Sequence, residues 1–113
     1  MWHIYNDNTK FVFLYGDFMK IIFLCTGNTC RSPMAEAYFK KLCDDAGLEI
    51  EVGSAGTFAG SSQPAADNSV RTMSEYNIDL SSFASTPLTS ELIESADKIV
   101  CMTSSHRFQI GSV

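Results

Sequence analysis

Hydrophobic positions along the chain group into short runs that predict strands and one longer series at helical period. Lys20 to Leu24 (KIIFL) is apolar without alternation, which suits a strand covered on both faces, as in a parallel sheet. A polar, glycine-bearing stretch over 25–32 follows and opens into a helix signal. Ser32 is a candidate cap, Pro33 fits the first helical position, and Gly47 marks the stop. Between them Met34, Tyr38, Leu42 and Ala46 recur every four residues, with Ala35, Phe39 and Cys43 alongside. This predicts a single apolar stripe, with Lys40, Lys41, Asp44 and Asp45 turned to solvent.

Leu48 to Ser54 alternates and predicts a second strand. Residues 55–64 are small and polar and end at Pro64. Ala65 to Tyr76 predicts a second helix, built partly from weak helix formers such as Asn68, Ser69 and Thr72. After an irregular stretch, Thr89 or Ser90 is placed to cap a short third helix running through Ser95. Lys98 to Met102 (KIVCM) predicts a third buried strand. Strands alternating with helices predict an α/β fold, an open parallel sheet with flanking helices built from βαβ units. The domain is expected over residues 19–113, preceded by an extension over 1–18 in which Phe11 to Tyr15 is a candidate edge strand. Three strands ending soon before Val113 make a small core, and the sheet is expected to be incomplete at its C-terminal end.

Composition narrows the function classes. The 113 residues hold 8 Lys+Arg against 13 Asp+Glu, a formal net charge of −5, and no basic run occurs, which argues against a nucleic-acid partner. With 45% hydrophobic and 19% charged residues the chain can bury a core and is not broadly disordered. The greasy stretch from Val12 to Leu24 is broken by Asp17 and Lys20, so no membrane partner is expected. The start lacks the basic patch and cleavage site of a secretion signal, and a cytoplasmic location is expected. Cys25, Cys30, Cys43 and Cys101 are too few and too irregularly spaced for a disulfide framework. Cys25 and Cys30 have no second Cys/His pair at ligand spacing, so no metal or other cofactor is expected. Cys43 and Cys101 fall on apolar faces and read as core thiols.

Residues 25–32, Cys-Thr-Gly-Asn-Thr-Cys-Arg-Ser, carry the chemistry. They lie between a buried strand and a helix start, where open α/β sheets bind ligands. Successive amides in a tight loop make a nest for an anion, and the helix N-terminus adds unpaired N–H groups and a positive dipole end. Gly27 allows positive φ and Asn28 tolerates the left-handed region, so the loop can curl. Arg31 offers a planar fork that matches two phosphate oxygens. A thiol in this field is expected as the thiolate, and Ser32 can donate to its sulfur. The residues alone therefore point to nucleophilic displacement on a phosphate-like oxyanion.

The run IIFLCTGNTCRSPMAEA resembles the signature of the low-molecular-weight protein-tyrosine-phosphatase family, a cysteine, five residues and an arginine followed by Ser-Pro and a helix. The likeness continues through Gly53 to Thr57 and Ala96 to Thr103. It implies a flavodoxin-like, phosphotyrosine phosphatase I-like fold, Cys25 as nucleophile and Arg31 as the residue binding the transition-state phosphoryl group. It further implies that Thr26, Gly27, Asn28, Thr29, Cys30, Arg31 and Ser32 bind the substrate, a phosphorylated protein. Asn28 would fix the loop's shape and Cys30 would pair with Cys25 under oxidation. Thr29 makes the run most similar to bacterial protein-arginine phosphatases, because a hydroxyl beside the nucleophile suits a guanidinium better than an aryl ring.

One feature of the family is not found. Its general acid is typically the aspartate of an Asp-Pro pair, and here the three prolines follow Ser32, Gln63 and Thr86. Impaired turnover of substrates with poor leaving groups is therefore expected, since general acid–base help is worth roughly 10²–10⁴-fold. Two alternatives stand beside the phosphatase reading. Thioredoxin-coupled arsenate reductases share the loop but add a downstream cysteine pair, of which Cys101 is the one candidate. A phosphate-binding fragment without turnover would also carry such a loop.

Overall fold

The computed structural model describes residues 3–5 and 19–102. Its elements in chain order are β1 (His3–Tyr5), β2 (Met19–Cys25), α1 (Arg31–Asp45), β3 (Ile50–Gly56), α2 (Asp67–Ser74), α3 (Ser90–Ser95) and β4 (Lys98–Cys101). The four strands lie in the order β1-β4-β2-β3. β2 pairs in parallel with β3 from Met19↔Ile50 to Cys25↔Gly56, and with β4 from Ile21↔Lys98 to Leu24↔Cys101.

The central strand is buried on both faces, as its unbroken apolar run predicts. Met19, Ile21, Phe23 and Cys25 point to one side, where Ala35 and Phe39 of α1 cover them, with the Phe23 and Phe39 rings edge-on at 5.7 Å. Ile22 and Leu24 point to the other, against Ala55, Ile99 and Cys101, with Leu88, Leu92 and Ile93 packed over them. A period of two along β2 thus feeds two half-cores, each closed by a different helix. A third cluster of Ala65, Met73 and Leu80 joins α2 to Met34 and Ala37 of α1.

The three predicted strands form the parallel sheet expected, and β1, which the pattern does not predict, adds an antiparallel edge to β4 with His3 opposite Cys101. The candidate edge strand over Phe11 to Tyr15 lies outside the described residues. Several expectations need correction. The apolar stripe of α1 is split. Ala35 is buried against the sheet, Cys43 is also buried and Met34 faces α2, whereas Tyr38 and Leu42 are exposed. The helix is flanked by a sheet on one side and a short helix on another, so a broad stripe has two partners and a free edge. Lys40–Asp44 and Lys41–Asp45 pair on its solvent face at 3.6 Å each, a minor contribution at such exposure.

β3 starts two residues later than the alternation predicts. Leu48 is taken by the end of α1, where Gly47 adopts φ +71°. Gly47 N donates to the Asp44 carbonyl at 3.1 Å and Leu48 N to the Cys43 carbonyl at 2.9 Å, the double closure that a left-handed residue after a helix allows. At its far end β3 runs on to Gly56, drawn out by a bridge to Pro87. Gly56 N donates to the Thr86 carbonyl and Leu88 N to the Gly56 carbonyl, both at 2.9 Å. α2 is shorter than predicted at both ends. α3 begins as predicted, Thr89 Oγ1 accepting from Leu92 N at 3.2 Å.

Candidate active site

The loop over 25–32 leaves the carboxyl end of β2 and enters α1, which begins at Arg31. Ser32 is not the cap the sequence predicts. It lies inside the first turn with no exposure, Cys30 occupies the cap position without a side-chain bond, and the Ser32 hydroxyl is used elsewhere. Its Oγ stands 2.9 Å from Cys25 Sγ. The sulfur is buried at the base of the loop and also accepts from Asn28 N at 3.2 Å.

Asn28 is the residue that curls the loop. It takes φ +56°, in the left-handed region, while Gly27 does not. A Cβ on Gly27 would make ordinary contact with the Thr29 hydroxyl at 3.7 Å. The asparagine is fully buried, and its side chain meets a partner at every polar atom. Thr86 N donates to Oδ1 at 2.7 Å, and Nδ2 reaches Ser32 Oγ at 2.8 Å and Ser54 Oγ at 3.0 Å. Because a backbone N–H can only donate, the amide can be set only one way round. Nδ2 then spends its two protons on the two serines. Ser32, having accepted from Asn28, has its own proton free for the sulfur, and so donates to Cys25.

Around this centre Thr26, Gly27, Cys30 and Arg31 are exposed and Thr29 is half-buried. Among the described residues the amides of Gly27, Thr29 and Cys30 donate to no protein acceptor, which leaves them for an anion. The loop is tied down from outside. Thr57 N donates to the Cys25 carbonyl and Phe58 N to the Thr26 carbonyl at 2.9 Å each, and Ala66 N to the Thr29 carbonyl at 2.7 Å. Gly56 sits so close beneath that a Cβ there would meet the Thr26 carbonyl oxygen at 2.5 Å. All eight residues singled out in the sequence therefore share one loop, with Cys25, Asn28 and Ser32 inside and the remainder at its surface.

Sequence reasoning missed the supports of Asn28. Ser54 lies toward the end of β3 and Thr86 in the bridge region, both far from the loop in sequence, and Glu36 lies one turn into α1 and reaches Asn28 only through Ser54. The one available signal is a serine inside the buried half of a strand, Ser54-Ala55. Ser54 Oγ donates to Glu36 Oε1 at 2.5 Å. Burial pushes the Glu36 carboxyl up from its ordinary value, opposed by the Ser54 hydroxyl and the Lys40 ammonium.

The other cysteines read differently from Cys25. Cys43 is buried, and burial, with Asp44 beside it, pushes its thiol up. Cys101 is fully buried in β4. All four are free thiols. A cavity of about 450 Å³ lies between α1 and α2, lined by Met34, Tyr38, Met73, Tyr76 and Met102, with Arg31 at its edge. Among the described residues no group of three His, Cys, Asp or Glu is disposed to hold a metal, and no helix is long and apolar enough to cross a membrane.

Three comparisons bear on this loop. The family model described as low molecular weight phosphotyrosine protein phosphatase matches residues 20–113. A protein-arginine-phosphatase of Bacillus subtilis is 50% identical over 94 residues, which make up 83% of this chain and 62% of that protein. The chain thus spans less than two thirds of that relative's length. A solved structure of the YwlE arginine phosphatase, a cysteine-to-serine variant with its active-site serine phosphorylated, superposes with a TM-score of 0.80 at 49% identity, covering 83% of this chain and 61% of that one. An arsenate reductase of Halalkalibacterium halodurans is 44% identical over 82 residues, 73% of this chain and 55% of that protein.

Proposed function

The chain belongs to the low molecular weight phosphotyrosine protein phosphatase family, and from that premise we propose that it dephosphorylates proteins through a phosphocysteine at Cys25, with phosphoarginine preferred. The observation that carries the reading is the hydrogen-bonded seat of Cys25 Sγ, held by the Ser32 hydroxyl and the Asn28 amide beneath a loop of unused N–H groups. In the first step the sulfur attacks phosphorus. An S–P bond forms as the P–N bond to the guanidine, or the P–O bond of an aryl ester, breaks, and the leaving group takes the electron pair and a proton from solvent. Water then attacks phosphorus, the S–P bond breaks with its electrons returning to sulfur, and orthophosphate departs.

Roles follow from position. The amides of Gly27, Thr29 and Cys30 and the Arg31 guanidinium hold the equatorial oxygens, whose charge grows toward the transition state. The Ser32 proton stabilises the thiolate before attack and again as it leaves. Thr29 stands half-buried at the mouth, where its hydroxyl faces a polar guanidinium more favourably than an aromatic ring. The preference for phosphoarginine is further supported by the 50% identity to a protein named for that activity. A cytoplasmic setting accords with four free thiols.

The arsenate reductase reading is less well supported. It calls for a downstream cysteine that can reach the loop, and Cys101 is fully buried in β4.

The test is a pre-steady-state burst with p-nitrophenyl phosphate, comparing the chain with Cys25→Ser. This leaving group departs without a proton, so the measurement does not depend on a general acid. A burst near one equivalent, absent from Cys25→Ser, supports the covalent mechanism. A folded sample without a burst would overturn turnover and leave a phosphate-binding protein. Phosphoarginine and phosphotyrosine peptides then compete to phosphorylate Cys25, and faster labelling by phosphotyrosine would reverse the preference.

A further inference from the structure

We propose that Glu36 is a positioning residue for the Cys25 thiolate, acting through Ser54, Asn28 and Ser32. The inference rests on the reading of Cys25 as nucleophile, and concerns how its sulfur is held.

Glu36 lies on α1 and touches neither the loop backbone nor the sulfur. Its carboxylate accepts the Ser54 proton at 2.5 Å. A hydroxyl that has given its proton away in one direction can only accept in the other, so Ser54 Oγ must receive Asn28 Nδ2, at 3.0 Å. The Asn28 amide is then held at three points: Ser54, Thr86 N and Ser32. The chain of donors has one sense throughout. Ser54 donates to Glu36, Asn28 to Ser54 and Ser32, and Ser32 to Cys25. Thr86 N fixes the amide at its oxygen, and Glu36, by taking the Ser54 proton, leaves the Ser54 oxygen open to Nδ2 at the other end.

Without that acceptor the Ser54 proton has no fixed direction and can turn toward Asn28 Nδ2, two donors facing one another. The amide would be displaced, and with it the Ser32 proton and the Asn28 N–H on the sulfur. The residues needed for this relay come from three elements (α1, the end of β3 and the loop), and all the links but one lie within 3.0 Å. A cavity of about 410 Å³ opens onto Glu36, Ser54 and Thr86 on the side away from the loop, so the carboxylate side of the relay is not sealed in the core.

Charge and positioning predict opposite signs. Removing a nearby negative charge eases ionisation of a thiol, whereas losing the relay hinders it. The experiment is the rate of iodoacetamide alkylation at Cys25, resolved peptide by peptide across pH. It needs no turnover, so it stands whether or not the burst with p-nitrophenyl phosphate appears. Glu36→Met, which keeps the shape and removes the acceptor, is expected to slow alkylation at neutral pH about three- to tenfold, the worth of one buried hydrogen bond, and to move the profile to higher pH. Glu36→Gln retains an acceptor oxygen and is expected to alkylate at least as fast as the parent. Ser54→Ala should slow alkylation similarly, and adding Glu36→Met to it should change nothing more. Faster alkylation in Glu36→Met, or an equal further change in the Ser54→Ala background, would overturn the proposal. If Glu36→Met fails to fold, Glu36→Ala takes its place: slowing that vanishes in the Ser54→Ala background supports the proposal, and parental or faster alkylation overturns it.

Discussion

Asn28 concentrates more of the site than any other residue. It supplies the left-handed turn, the amide on the sulfur and the side chain that orders two serines. Asn28→Gly keeps the turn and loses the side chain, whereas Asn28→Ala loses both. Leaving Thr86 N and two buried hydroxyls short of a partner should cost about 2–3 kcal/mol in either variant, and Asn28→Ala about 1 kcal/mol more for its strained φ. Denaturant titration of the pair reads the difference. Both variants should lose most of the p-nitrophenyl phosphate burst rate. Glu36 gives the pH prediction. Its carboxyl is raised above the ordinary value of 4.5 by burial, so over the interval between the two values the native state holds a proton that the unfolded chain has released. Stability from this group is therefore present below the unfolded value and is lost as pH rises through the folded one. Melting followed from about pH 4 to about pH 8 should show Glu36→Gln gaining on the parent as pH rises; a constant gap would contradict the raised carboxyl.

At the scale of elements, the site is where β2, β3 and α1 converge, and β3 works through closeness more than chemistry. The Gly56 backbone bridges to Pro87 and lies under the loop, with a Cβ placed 2.5 Å from the Thr26 carbonyl oxygen and 2.6 Å from Ala59 Cβ. One contact is backbone, which cannot swing aside. Gly56→Ala should cost about 1–3 kcal/mol from overpacking and slow alkylation of Cys25, because the loop must lift. Gly53 in the same strand has open space around its Cα, and Gly53→Ala serves as the control, expected within about 0.5 kcal/mol of the parent. The local signals of α1 were readable in part. Its stop at Gly47 was visible because a left-handed residue after a helix is nearly always glycine or asparagine. Its start was misread because Ser32 is a good cap by type, and nothing local reveals that a sulfur seven residues earlier claims its hydroxyl.

The whole molecule is a sheet whose central strand feeds two half-cores, and its stability depends on that strand. Leu24 is fully buried in the half-core capped by α3. Leu24→Ala should cost about 2–5 kcal/mol, read by denaturant unfolding, and would also loosen the residue just before Cys25. β1 occupies the outer edge of β4, in antiparallel register through His3↔Cys101, Ile4↔Val100 and Tyr5↔Ile99. Deleting residues 1–5 bares a row of backbone donors and acceptors. The expected outcome is concentration-dependent association in light scattering with the burst unchanged. A burst that falls in a sample still monomeric would tie the extension to the site instead.

The central strand, the α/β class and the strand-to-helix loop over 25–32 were legible from the chain alone. These rest on short-range facts: an apolar run that can only be buried, and a cysteine-to-arginine spacing that one loop must satisfy. The sequence could not determine which face each row of α1 meets, why β3 begins at Ile50 rather than Leu48, or that a strand forms at His3 to Tyr5. These depend on partners distant in the chain. The supports of Asn28 belong to the same class, since Ser54 and Thr86 lie 26 and 58 residues from it and reach it only once β3 and the bridge at Pro87 are in register; Glu36, though near in sequence, meets it only through Ser54. Burial decided their roles. A serine, an amide and a carboxylate in solvent are interchangeable in many arrangements, but enclosed together each proton has one place to go.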